Sequence, residues 1–177
     1  MKKGMYAPSG EMIFNSNQVA TMRILLSSIV LLPFGVQALK RVCVKKHLVP
    51  FLIVALCGNL LPAFLFTYAE TGISSGFTGM LNSMTPVFVI FIGFGFFKIR
   101  MTYSQILGSV IGSLGVISLL YFGKAVSLDG DWKHIFAVVL ATLCYAISLS
   151  VIRYKLSSYK SIDIAAIAFL LLLPPSL

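Results

Sequence analysis

A short polar stretch interrupts an apolar segment near the middle of the chain and carries side chains suited to binding a polar solute. Asn82 offers an amide that donates and accepts hydrogen bonds, and Ser83 and Thr85 add hydroxyl groups. Pro86 has no backbone N–H, so it frees a carbonyl group near Asn82 from its helical hydrogen bond. These groups can hold a solute by hydrogen bonding, and none of them is an acid or a base.

The preceding apolar segment repeats this pattern with Asn59 and Pro62 and ends at Tyr68. Polar groups inside a membrane are costly to leave unpaired, so they normally face a partner or a water-filled cavity. We therefore expect Asn59, Tyr68 and the polar stretch of residues 82–86 to line one substrate pathway. A plain proline kink, solvated by the two hydroxyl groups of the stretch, is the alternative.

The composition places these residues in a membrane protein. Hydrophobic residues make up 58% of the 177 residues and charged residues only 11%, against about 25% charged residues in soluble domains. This excludes an ordinary soluble enzyme, a disordered tail and a collagen-like fibre. The net charge of +9 comes from basic residues that lie between apolar segments, as at the cytoplasmic ends of membrane spans, so we expect a lipid bilayer and no nucleic acid as partner.

Six apolar segments predict an all-α, polytopic transmembrane bundle of about six helices. The first five are 19 to 22 residues long, which suits a hydrocarbon core of about 30 Å. None alternates in polarity over about ten residues as the strands of a membrane barrel do. The segments cover residues 19–38, 48–68, 76–97, 103–122, 134–152 and 162–173.

Basic residues predict the orientation of this bundle. The linkers after the first, third and fifth segments hold nine Lys and Arg residues, whereas the linkers after the second and fourth hold two. Because cytoplasmic loops are enriched in Lys and Arg, the odd-numbered linkers should be cytoplasmic. The tail at residues 1–18 and the linker at residues 123–133 should then be external, in a multi-pass protein of the inner cell membrane.

Small residues at a spacing of four predict close helix packing in the fourth segment. Gly108 and Gly112 lie on one face, Gly115 lies on its flank, and Gly79 extends a similar pattern in the third segment. Such spacing lets helix backbones approach one another in membranes. We interpret these four glycines as packing residues, which says nothing about a substrate.

The chain lacks the residue patterns of an enzyme. Its acids and histidines are scattered, with no Ser–His arrangement, H-E-x-x-H motif or glycine-rich phosphate loop. The three cysteines form no C-x-x-C pair and support neither a disulfide framework nor a zinc site. We therefore predict a non-enzymatic protein without a cofactor or a metal ion.

Two charged residues lie close to apolar segments. Arg23 lies four residues inside the first segment, near its end, and is expected to snorkel to the lipid headgroups. Glu70 follows Tyr68 by two residues and is expected to be a solvated acid in the external linker 69–75. Both are therefore poor candidates for coupling transport to protons.

The order of these motifs resembles a known family. The stretch YAETGISSGFTGMLNSMTPVF is followed, one linker later, by QILGSVIGSLGVISLL. From Leu48 to Leu120 this pattern is similar to the EamA-type repeat of the drug/metabolite transporter superfamily. Family members usually carry a Gly-Glu pair after the fourth helix, where this chain has Lys98 and Ile99. The matching residues are Ala69, Gly76, Gly79, Asn82, Pro86, Gly108, Gly112 and Gly115.

The resemblance implies two five-helix repeats of opposite orientation. Residues 19–122 would be a first repeat without its first helix, and residues 134–177 would begin a truncated second repeat. A chain that lacks the remaining helices is expected not to transport anything alone. The sequence does not predict the oligomeric state, and a homodimer is one option.

The resemblance also implies a function. The expected activity is movement of a small metabolite or drug across the membrane by alternating access. A non-transporting membrane subunit or assembly protein is the alternative, favoured if every polar residue is used in helix contacts.

Overall fold

The chain folds into a bundle of α-helices in a computed structural model that describes residues 15–42, 44–96, 102–122 and 132–176. Within these ranges no strand is present, which confirms the predicted all-α bundle. The helices are α1 (Ser16–Arg41), α2 (Leu48–Ala55), α3 (Leu61–Gly72), α4 (Ser75–Asn82), α5 (Thr85–Gly95), α6 (Tyr103–Phe122), α7 (Trp132–Lys155) and α8 (Ser161–Ser176). A 3₁₀ turn, Val44–His47, precedes α2, and a π-helical turn, Leu56–Leu60, joins α2 to α3.

Within the described ranges, four helical stretches are long and apolar enough to cross a membrane. They are Asn17–Arg41, Leu48–Gly72, Ser75–Gly95 and Trp132–Lys155. The apolar helix Ser161–Pro174, within α8, is shorter. Large apolar side chains such as Val30 and Phe91 are about 70% exposed on the outside of the bundle (69% and 72%). Lipid would cover these side chains, so the chain is a multi-pass membrane protein.

The π-helical turn between α2 and α3 has a local cause in Pro62. Proline lacks an N–H, so the carbonyl of Gly58 cannot make its normal helical hydrogen bond, and the chain widens by one residue before Pro62. The amide of Asn59 donates a hydrogen bond to the carbonyl of Val54 across this turn, at 3.3 Å. The widened turn therefore fixes where Asn59 lies on the bundle.

A second interruption separates α4 from α5 at residues 83–84. Pro86 lies in the first turn of α5, and the hydroxyl of Thr85 donates to the carbonyl of Asn82 at 2.6 Å. The hydroxyl of Ser83 donates to the carbonyl of Gly79 at 2.9 Å. The sequence correctly predicted a proline that frees a carbonyl group near Asn82, and the neighbouring hydroxyl groups satisfy the break.

The helices pack around two apolar clusters. Helix α1 packs mainly on α8, and both α3 and α5 pack on α7. The larger cluster includes Ile24, Phe51 and Leu156, and the smaller one includes Phe77 and Val138. These contacts place α1, α3, α4, α7 and α8 around a shared interior.

Aromatic contacts between helix ends show which linkers share an end of the bundle. The rings of His47 and Tyr159 meet edge to face at 5.8 Å, so the linkers after α1 and α7 lie at one end. The rings of Tyr68 and His134 stack at 4.9 Å at the opposite end. This agrees with antiparallel helices, and the side that faces the cytoplasm stays a prediction.

The close helix contacts use other glycines than the sequence pattern suggested. A Cβ atom on Gly35 would lie 3.2 Å from the carbonyl oxygen of Ala166, and one on Gly58 would lie 2.5 Å from the Ser148 hydroxyl oxygen. A Cβ atom on any of the four predicted glycines would meet no other helix within 4 Å. No other described helix therefore approaches these four glycines closely, and their role in helix packing stays a prediction. The four glycines are Gly79, Gly108, Gly112 and Gly115.

Some predictions fall on residues outside the described ranges. They concern most of the tail at residues 1–18, the stretch of residues 97–101 between the third and fourth apolar segments, and most of the linker at residues 123–133. The two repeats implied by the resemblance also stay a prediction.

Candidate functional site

A cavity of about 340 Å³ lies between α1, α3, α4, α7 and α8. This volume is within the usual range for small-molecule sites. Its wall combines charged, amide, hydroxyl and aromatic side chains from distant parts of the chain. The lining residues are Arg23, Ile24, Ser27, Gly58, Asn59, Ala63, Phe66, Glu70, Ser75, Thr78, Gly79, Asn82, Tyr145 and Phe169.

Two residues predicted for the substrate pathway, Asn59 and Asn82, meet in this cavity. Asn59 lies in the π-helical turn, and Asn82 is the last residue of α4. Each amide therefore stands at an interruption caused by a proline, Pro62 in one case and Pro86 in the other. The helix breaks position both amides, which is why two short motifs 23 residues apart in sequence reach one site.

Ser83 and Pro86 lie in a different groove. That groove has a volume of about 310 Å³, lies between α5 and α6, and also contains Gly108, Gly112 and Arg153. Residues 82 and 83 therefore face two separate spaces although they are adjacent in sequence. The single pathway expected from the sequence is divided, and the role of the second groove stays a prediction.

Thr85 and Tyr68, both predicted for the substrate pathway, make contacts within the protein and do not line the cavity. The hydroxyl of Thr85 donates to the carbonyl and, at 3.2 Å, to the side-chain oxygen of Asn82. Tyr68 stacks on His134 at one end of the bundle and does not line the cavity. Thr85 thus positions Asn82, while Tyr68 joins α3 to α7.

Glu70 corrects an expectation from the sequence. It belongs to α3 and lines the cavity with only 8% of its surface exposed, so the prediction of a solvated linker acid is wrong. The helix continues to Gly72 because its last residues still pack on α7, although the apolar segment ends at Tyr68. Hydropathy alone could not show that Glu70 lies in a helix. Extending the second apolar segment by one helical turn beyond Tyr68 would have placed Glu70 on the same face as Phe66.

Arg23 was also missed as a member of the site. Its side chain is exposed, as a snorkelling residue would be, and it lines the cavity opposite α3. Phe66 and Tyr145 form an aromatic wall with ring centroids 5.8 Å apart. The cavity thus offers one basic group, one acidic group, two amides and an aromatic surface.

Sequence comparisons show that the chain is similar to membrane transporters. The profile of the EamA-like transporter family matches residues 6–121. An uncharacterized transporter of Bacillus subtilis (strain 168), YdfC, is 27% identical over 138 residues, which are 78% of this chain and 43% of that protein. An uncharacterized transporter of Archaeoglobus fulgidus is 30% identical over 105 residues, 58% of this chain and 35% of that protein.

The chain spans less than half the length of these two relatives (43% and 35%). No solved structure matches it significantly. The family profile covers every cavity-lining residue except Tyr145 and Phe169. A polytopic helical bundle whose polar cavity is built largely from the matched region agrees with this profile, and the chain belongs to the EamA-like transporter family.

Proposed function

We propose that the chain is part of a secondary transporter that moves a small metabolite or drug across the inner cell membrane by alternating access. The cavity of about 340 Å³ carries this proposal, because it places two amides, an acid and a base among apolar helices. Polar groups at such positions are costly unless they bind a partner or line an aqueous path. A subunit with only a packing role would use every one of these groups in helix contacts, whereas Asn59 and Asn82 each use only part of the amide in a local hydrogen bond.

The two helix interruptions support a mechanism in which the cavity opens first to one side and then to the other. The π-helical turn and the break at residues 83–84 let parts of α3 and α4 tilt without unfolding a whole span. Asn59 and Asn82 move with these parts, so solute binding and helix movement are linked. In this proposal the amides bind the solute and the proline-induced breaks act as hinges.

The activity is tested by comparing metabolites inside and outside cells that lack the whole gene product or produce it. A transporter is expected to change the distribution of at least one small molecule between cell and medium. Unchanged metabolites at normal membrane abundance would favour the non-transporting subunit. The 177-residue chain alone should be compared in parallel, since the activity proposed belongs to the whole protein.

A further inference from the structure

Glu70 is a buried acid that faces a polar cavity without a partner for one of its oxygens. Only 8% of its surface is exposed, and its Oε2 atom has no hydrogen-bond partner in the described parts of the chain. Burying an unpaired carboxylate is unfavourable by several kcal/mol on the order-of-magnitude scale for buried ions. A group in this position therefore favours a bound cation.

The surroundings of Glu70 limit the kind of cation. The titratable groups that share the cavity with Glu70 are Arg23 from α1 and Tyr145 from α7, so its lining contains no second carboxylate. No group of three or more His, Cys, Asp or Glu residues comes together in the ranges that the structure describes. A hard metal ion such as Ca²⁺ needs six to eight oxygen ligands, which one carboxylate does not provide.

The remaining wall suits an organic body attached to the cation. Ile24, Ala63, Phe66 and Phe169 give the cavity an apolar and aromatic surface. Aromatic rings also attract cations that approach their faces. The volume of about 340 Å³ leaves room for a small organic molecule as well as its charged group.

We propose that the carboxylate of Glu70 binds the ammonium group of a small organic amine, whose apolar part rests against Phe66 and Phe169. This rests on the proposed function, in which the cavity holds the transported solute. The proposal assigns Glu70 to recognition of the solute's charge, whereas the amides of Asn59 and Asn82 recognise its polar groups.

The test measures binding of 2-phenylethylammonium to the purified whole protein by equilibrium dialysis in detergent at pH 7. The neutral alcohol 2-phenylethanol, which has nearly the same shape, is the matched ligand. We expect the ammonium compound to bind at least about tenfold more tightly than the alcohol, as a charge-assisted hydrogen bond implies. Equal binding of the two compounds, or no binding of either, would overturn the proposal.

Glu70→Gln is expected to remove the preference for the ammonium compound while leaving binding of the alcohol unchanged. Asp163→Asn is the matched control, because Asp163 is an equally buried acid, with 7% of its surface exposed, that does not line the cavity. It should keep the tenfold preference. Loss of the preference in both variants, or in neither, would contradict a specific role for Glu70.

A second measurement does not depend on the folding of a variant. A hydrophobic carbodiimide modifies carboxyl groups in apolar surroundings, and mass spectrometry locates the modified residue in the unaltered chain. We expect N,N-dimethyl-2-phenylethylammonium, which keeps an N–H but cannot form an amide with an activated carboxyl group, to protect Glu70 and leave labelling of Asp163 unchanged. No protection would count against the proposal. Amine binding without any transport would support amine binding at Glu70 and reject the proposed transport function. Transport without amine binding would support the transport function and reject amine binding at Glu70.

Discussion

The hydroxyl of Thr85 donates a hydrogen bond of 2.6 Å to the backbone carbonyl of Asn82, the group that Pro86 leaves without its helical donor. This contact closes the break between α4 and α5 and holds Asn82 at the edge of the cavity. Pro86 thus creates the interruption, the hydroxyl of Thr85 stabilises it, and the interruption places the amide of Asn82 at the cavity.

Thr85→Val should destabilise the protein because it removes this donor at nearly constant side-chain volume. Loss of the donor to this half-buried carbonyl is expected to lower the free energy of unfolding by about 0.5–1.5 kcal/mol. The measurement is thermal unfolding of the purified chain in detergent, followed by circular dichroism. Thr85→Ser keeps the hydroxyl and is the control. Equal melting temperatures for the two variants would mean that the hydrogen bond does not stabilise the break.

Gly58→Ala should destabilise the contact between the π-helical turn and α7. The added Cβ atom would lie 2.5 Å from the hydroxyl oxygen of Ser148 and 3.2 Å from its Cβ atom. Overpacking of this kind costs about 1–3 kcal/mol, whereas Gly→Ala in an open helix stabilises it by up to about 1 kcal/mol. Gly95→Ala is the control, because nothing lies within 4 Å of its added atom.

The same unfolding assay measures both glycine variants. A lower melting temperature for Gly58→Ala and an equal or higher one for Gly95→Ala are expected. If Gly58→Ala were as stable as Gly95→Ala, the two helices would not approach as closely as described.

Gly112→Leu should disturb the isolated chain less than Val116→Leu. Gly112 borders the open groove between α5 and α6, whereas Val116 is buried with 7% of its surface exposed. The small-residue spacing alone predicts the opposite order, since it treats Gly112 as a helix contact. Size-exclusion chromatography and melting temperature distinguish the two. A larger loss for Gly112→Leu would indicate that a second copy of the chain fills the groove.

Single-cysteine labelling tests the orientation of the bundle. In a cysteine-free background, Lys46→Cys should be protected from an impermeant thiol reagent in intact cells, and Lys133→Cys should react. This follows from the nine-to-two distribution of basic residues between the linkers. Reaction at residue 46 together with protection at residue 133 would reverse the orientation.

Hydropathy and proline positions predicted much of the fold. In the parts that the structure describes, the six apolar segments are helical apart from residues 83–84 and 96, and the breaks before Pro62 and near Pro86 follow from their missing N–H groups. The helix ends were less well placed, since α3 continues beyond the apolar segment to Gly72. Apolar segments mark the part of a helix that lipid surrounds, and they do not mark the polar turns beyond it.

The cavity could be predicted only in part. Asn59 and Asn82 carry a local signal, because each is an amide beside a proline in an apolar segment. Tyr145 and Phe169 reach the cavity through the packing of α7 and α8. That packing depends on contacts between residues far apart in sequence, which no local pattern encodes.

In the proposed transporter, the cavity between α1, α3, α4, α7 and α8 holds the transported solute. The most direct test is the flux, into liposomes containing the whole protein, of the solute identified by metabolite comparison. Asn82→Ala is measured beside Gln37→Ala, which removes an amide of an exposed residue that does not line the cavity. We expect Asn82→Ala to lower flux about two- to tenfold at equal protein abundance, as loss of one solute hydrogen bond implies, while Gln37→Ala leaves flux unchanged. Equal flux from both variants, or a loss of flux that merely follows a loss of protein, would contradict this role of the cavity.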